Sequence, residues 1–182
     1  MNGGIKAWEG LTAEGAPEAG MAYFTVADGP EELIGLAWAL EEGSRRFYAE
    51  LSLVNEDADA VGVFQDLSAA EEGHKLSLVE LYKDLSGTES DSGFPGPSVS
   101  SEASGDIMEG GMRVSEALSW ARGKGLQETL ELAMSLETNS YDLYLKMENR
   151  MEDKNARLVF ARIAKEEKNH LSKLAALLDM KL

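Results

Sequence analysis

The chain has 182 residues, with 33 acidic and 17 basic side chains, two His, no Cys and a formal charge of −16. Its length suits one domain, and 43% hydrophobic residues can bury a core, which excludes disorder throughout. Zero Cys excludes disulfides, thiolate zinc sites, iron–sulfur clusters and a thiol nucleophile, and the acidity argues against nucleic acid and anionic membranes as partners. No run approaches the roughly 20 apolar residues of a membrane span. Residues 1–20 lack the apolar run of a secretory leader, so a cytoplasmic location is expected.

Residues 1–30 are rich in Gly, Ala and Glu without a sustained period. They read as an irregular arm, with Trp8, Tyr23 and Phe24 as its packing residues. Pro30 follows Gly29 and precedes Glu31 and Glu32, a helix start in which Pro fits the first turn and acids favour its positive end. From there Leu33, Leu36, Ala37, Leu40, Phe47, Tyr48 and Leu51 recur at steps of three and four, which predicts a helix of about 25 residues. Residues 55–59 break the pattern. A second helix follows, with Val63, Phe64, Leu67, Ala70, His74, Leu78 and Leu81 on one face.

Residues 86–111 change character. Ser86 to Pro97 is Ser/Gly/Pro-rich and predicts a long loop, and a short helix is expected from Ser115 to Arg122, stopped by Gly123 and Gly125. A crossover of about 40 Å needs roughly 13 extended residues, so most of this insertion is surplus and reads as a passive connection. Two more amphipathic helices are predicted over about 126–151 and 153–179. No strand alternation is present. The expected fold is all-α: residues 31–182 form an antiparallel four-helix bundle of two hairpins joined by the long crossover at about 86–125.

Sliding the chain by 96 residues aligns the first hairpin on the second without a gap. Leu40 meets Leu136, Glu41 meets Glu137, Ser44 meets Ser140, and Tyr48 meets Tyr144. Further on, Phe64 meets Phe160, Glu71 meets Glu167, and His74 meets His170. The halves read as a duplicated helical hairpin. Glu71 and His74 are neighbours on one helix face, as are Glu167 and His170. Glu41 and Glu71 are 30 residues apart with the turn at their midpoint, so an antiparallel hairpin brings them to one height; Glu137 and Glu167 repeat this. Four carboxylates and two imidazoles buried without compensation would be prohibitively unstable. Two divalent cations would neutralise the four Glu and satisfy both His, and carboxylate with imidazole suits Fe, Mn or Zn.

One Glu from each of two helices and Glu-x-x-His from each of the other two is the di-iron arrangement that serves as a standard example for ferritin-like bundles. With Phe47-Tyr48 after Glu41 and Phe64 seven before Glu71, the chain resembles the rubrerythrin-like branch of that superfamily over about residues 31–85 and 126–179. The resemblance implies two iron ions per chain, with Mn or Zn as substitutes. By the same likeness, Glu71 and Glu167 bridge the ions, Glu41 and Glu137 are terminal carboxylates, and His74 and His170 each cap one ion. Tyr48 and Tyr144 are the candidate catalytic residues, as hydrogen-bond donors or redox-active phenols, with ordinary core packing as the alternative. Glu166 is a candidate acceptor for a ligating His, the matching place in the other hairpin being Ala70; otherwise Glu42, Glu72 and Glu166 read as solvated charge. Trp38, Trp120, Met108, Met112, Met134 and Met147 read as packing residues.

Characterised members of that branch carry an extra Glu three residues after the third-helix ligand, where this chain has Ser140, and usually a four-Cys rubredoxin domain, which it lacks. The implied activity is a non-haem di-iron oxidoreductase that reduces hydrogen peroxide or oxidises Fe(II) with dioxygen. As a peroxidase it would draw electrons from a separate rubredoxin-like protein or flavoprotein. The alternatives are an iron-binding protein that sequesters or delivers iron without significant turnover, and an interaction module in which the metal pair only staples the bundle. A homodimer is expected.

Overall fold

The computed structural model describes residues 29–87, 94 and 106–182. The packing expected of Trp8, Tyr23 and Phe24 and most of the Ser/Gly/Pro loop lie outside the described residues. Five helices are present among them and no strand: α1 Pro30–Val54, α2 Ala58–Ser86, α3 Val114–Ala121, α4 Leu126–Arg150 and α5 Lys154–Lys181. A single 3-10 turn, Glu109–Gly111, precedes α3. None of the described helices is long and apolar enough to cross a membrane.

The helix ends follow local chemistry. Pro30 opens α1 with Glu31 and Glu32 in its first turn. Asp57 caps α2, its side chain accepting from the amides of Asp59 and Ala60, and Gly87 closes that helix in the left-handed conformation. Asp153 caps α5 by accepting from the Ala156 amide. At the start of α4 the Glu128 carboxylate accepts from the Gly125 amide. Both hairpin turns are therefore short and set by an Asp cap.

α1 packs on α2 and α4 on α5, and the hairpins meet most closely where α2 lies beside α5. The core divides at the middle of the bundle. One cluster gathers Phe47, Leu51, Phe64, Leu67, Leu130 and Leu174; the other gathers Ile34, Leu78, Leu81, Met147, Phe160 and Ile163. Between them lies a polar layer. Of the expected packing residues, Met108 and Met147 are fully buried, and Met112, Met134, Trp38 and Trp120 are partly buried against the clusters.

The described end of the crossover does more than connect. The 3-10 turn packs on both α1 and α4, and α3 packs on α1. A tight loop carries it: Met108 N–H donates to Met112 C=O at 3.0 Å, and Val114 N–H donates to Asp106 C=O at 2.8 Å. Gly110 and Gly111 both have positive φ, 80° and 74°, which other residues rarely adopt. The loop backbone sits directly on Gly43 of α1, where an added Cβ would fall 2.2 Å from the Ile107 carbonyl oxygen. Only Gly permits that approach.

Candidate metal centre

The polar layer consists of the six residues expected from sequence. Glu41 comes from α1, Glu71 and His74 from α2, Glu137 from α4, and Glu167 and His170 from α5, each no more than 3% exposed. Their donor atoms fall into two overlapping sets. Glu41, Glu71, His74 and Glu167 offer atoms within 4.8 Å of one another, and so do Glu71, Glu137, Glu167 and His170. Glu71 and Glu167 belong to both sets, whereas Glu41 and His74 serve one and Glu137 and His170 the other. The two imidazoles lie nearly parallel, 5.6 Å between ring centres.

The donor chemistry tests whether cations fit here. Nδ1 of His74 lies 3.1 Å from Glu41 Oε2, 3.0 Å from Glu71 Oε2 and 3.1 Å from Glu167 Oε1. One ring nitrogen carries at most one proton, so it cannot serve three carboxylates. Glu167 Oε1 has no hydrogen-bond partner among the described residues. Nδ1 of His170 likewise faces Glu137 at 3.0 Å, Glu167 at 3.5 Å and Glu71 at 3.7 Å. A buried carboxylate without enough donors is costly, and a divalent cation at the centre of each set would supply the missing positive charge. The residues fit a metal pair.

Without cations, protons have to do that work. Burial, then the charges of Glu167 and Glu41, push the Glu71 carboxyl well up. Burial and Glu167 raise Glu137 to about 8. Glu167 goes the other way: burial pushes it up, but the adjacent His170 and His74 imidazoles outweigh that and hold it below the usual carboxylate range. Both imidazoles are raised in spite of burial, His74 through Glu41, Glu167 and Glu71, and His170 to about 10 through Glu137 and Glu167.

Beyond the six, each tyrosine crosses to the other hairpin. The Tyr48 hydroxyl of α1 donates to Glu137 Oε1 of α4, and the Tyr144 hydroxyl of α4 donates to Glu41 Oε1 of α1. The other oxygen of each Glu, Oε2, faces its own hairpin's His. Burial, then the neighbouring carboxylate charge, raises both phenols well above the usual range, so they remain O–H donors. Tyr48 stacks on Phe64 and Tyr144 on Phe160, with ring centres 6.2 and 6.0 Å apart. Nε2 of His74 lies 2.9 Å from Glu166 Oε2, the arrangement in which an outer carboxylate fixes the ring's orientation.

Two buried charges escaped the sequence reading. Lys75 on α2 is 8% exposed and pairs with Glu42 at 2.6 Å and Glu72 at 2.9 Å, so those acids are ion-paired rather than freely solvated. Glu109, in the 3-10 turn, is 3% exposed. Its signal in the sequence was slight: one acid between Met108 and Gly110-Gly111, with Met112 beyond, in an otherwise polar insertion.

A four-helix bundle with four Glu and two His buried at its middle defines a ferritin-like protein with a carboxylate–imidazole centre that can hold metal. The family profile of rubrerythrin matches residues 32–178, and the chain belongs to the rubrerythrin family. Among curated proteins and solved structures none matches it.

Proposed function

We propose that the chain is a non-haem di-iron oxidoreductase that reduces hydrogen peroxide or oxidises Fe(II) with dioxygen. The observation that carries this reading is the pair of donor sets sharing Glu71 and Glu167, which suits two adjacent ions acting together rather than two separate ones. Membership of the rubrerythrin family favours iron among the metals that carboxylate and imidazole accept. When bound, a ferrous pair supplies two electrons to an oxidant.

The chain's own residues set the conditions for that chemistry. Glu71 and Glu167 would hold both ions, Glu41 with His74 would hold one, and Glu137 with His170 would hold the other. Tyr48 and Tyr144 engage Oε1 of the terminal carboxylates and leave Oε2 for metal. Hydrogen bonds to charged groups contribute about 1.5–3 kcal/mol each, so these phenols position the carboxylates firmly. The core clusters on either side exclude bulk water. As a peroxide reductase, the chain would draw electrons for repeated turnover from a separate rubredoxin-like protein or flavoprotein.

The test is an anaerobic load of two Fe(II) per chain, followed by stopped-flow mixing with hydrogen peroxide and, separately, dioxygen. Faster oxidation by peroxide identifies a peroxide reductase. Equal or faster oxidation by dioxygen, with extra Fe(II) consumed, identifies a ferroxidase. Slow reaction with both while two ions stay bound would overturn the oxidoreductase reading in favour of an iron-binding protein.

A further inference from the structure

Among the described residues of the crossover segment, Glu109 is the one acid that is buried, at the bundle's middle layer. It arrives from the side opposite the imidazoles: His74 and His170 stand on α2 and α5, whereas the 3-10 turn carrying Glu109 packs on α1 and α4. Three features hold it there. The loop backbone rests on Gly43, two residues after Glu41. Gly110, with φ of 80°, lies against Asn139, two residues after Glu137, where an added Cβ would fall 2.7 Å from the Asn139 amide nitrogen. Met108 is fully buried in the same cluster as Tyr48 and Leu136.

A hydrogen bond from its own backbone amide does not account for burying the side chain there. Oε1 of Glu109 is buried and has no hydrogen-bond partner among the described residues. Burial, then the charges of Glu41, Glu167 and Glu137, push its carboxyl well up, and it acts in turn on both phenols, so it shares the centre's electrostatic environment. Leaving a carboxyl oxygen desolvated and unpaired is costly, and structural packing alone does not call for it, since Leu would fill a similar space without that cost.

The two donor sets have a use for another acid. Each contains four residues offering one atom apiece. Tyr48 and Tyr144 occupy the second oxygen of Glu137 and Glu41, which limits both to a single oxygen toward metal. Four protein donors satisfy tetrahedral zinc, whereas iron and manganese take five or six. Glu109 stands outside both sets, on the face left open.

We propose that Glu109 is a seventh donor to the metal pair and its fifth carboxylate, delivered by the crossover segment, which closes the α1–α4 face and favours ions of higher coordination number over zinc. This rests on the di-metal reading above. It gives the 106–114 loop a function and makes Gly43 and Gly110 positioning residues for that donor.

The test uses Co(II), whose visible absorption is weak when six-coordinate and strong when four-coordinate. Apo full-length protein and its Glu109→Gln variant are titrated anaerobically, and bound ions, affinity and absorption are recorded. Metal-free thermal melts of both are run alongside. The expected result is that both bind two Co(II), but the variant holds its weaker ion about tenfold or more less tightly. Its absorption per ion is stronger. Its metal-free melting temperature equals or exceeds that of the parent, because a buried ionisable carboxyl has been removed, while its gain on adding Co(II) is smaller. Unchanged affinity and spectrum in the variant would overturn the assignment of Glu109 alone. So would a lowered metal-free melt with normal Co(II) binding, which would make Glu109 a packing residue. Failure of the parent chain to take up two Co(II) would overturn the di-metal reading itself, and the seventh donor with it.

Discussion

Around His74 the first hairpin is crowded with charge, and around His170 the second is not. The outer nitrogen of His74 meets Glu166, but the residue 96 positions before Glu166 is Ala70, which offers His170 no acceptor. Glu42, Arg45, Glu72 and Lys75 form a linked set of ion pairs outside the first hairpin's donors, with Lys75 also 5.0 Å from the Trp38 ring centre. Their counterparts, Thr138, Tyr141, Lys168 and Leu171, cannot form such a network. The inner residues match because charge balance with cations leaves little choice. The outer ones have diverged, and the lesson is that one donor set repeated twice yields two unequal metal positions.

The strongest way to break the comparison is to remove each imidazole. His74→Ala and His170→Ala should each lose about one ion per chain, read by metal analysis after gel filtration. Two tightly bound ions retained by both variants would show that the donors lie elsewhere. A smaller effect separates the positions: Glu166→Ala should weaken only the ion beside His74, by about 10–100-fold, in a chelator competition. Equal weakening of both ions would mean that Glu166 acts on the bundle as a whole.

The smallest effect concerns acid stability. The Arg45 hydrogen bond, opposed by burial and helped by Lys75, holds the Glu42 carboxyl at about 2, below its ordinary 4.5. A group lowered in the folded state stabilises above its unfolded pKa, and that contribution disappears as pH falls toward the folded one. Urea unfolding of the parent between about pH 5 and pH 2.5 should therefore show a loss of stability that Glu42→Gln lacks. The same slope in both proteins would remove Glu42 from the account.

The bundle was legible because Leu, Ala and Phe recur at helical steps and because Pro30, Asp57, Gly87 and Asp153 mark ends by local chemistry. The six donors were legible because each occurs twice at one offset. The tyrosines were read correctly as neighbours of the centre, but their partners were hidden. Glu41 and Tyr48 share a helix face seven residues apart, a rise of about 10.5 Å, which is too far for a phenol to span along its own helix. It reaches across the seam instead, and only the packing of α1 against α4 reveals that. Lys75 was illegible because its partner Glu42 lies 33 residues away on another helix. Glu109 sits in a stretch with no period, and what buries it is the seat at Gly43, a tertiary fact.

The crossed phenols also bear on how the protein moves. Each hairpin's terminal carboxylate is held by a side chain of the other hairpin, so drawing either α1 or α4 outward strips both bonds at once. Neither half can fray on its own at the middle of the bundle. Local opening there is tied to separation of the whole pair of hairpins, and its free energy approaches that of complete unfolding. An ion held in such a place would leave slowly whatever its equilibrium affinity, so retention of a metal would be as much a kinetic property of the helical lock as a thermodynamic property of its donors.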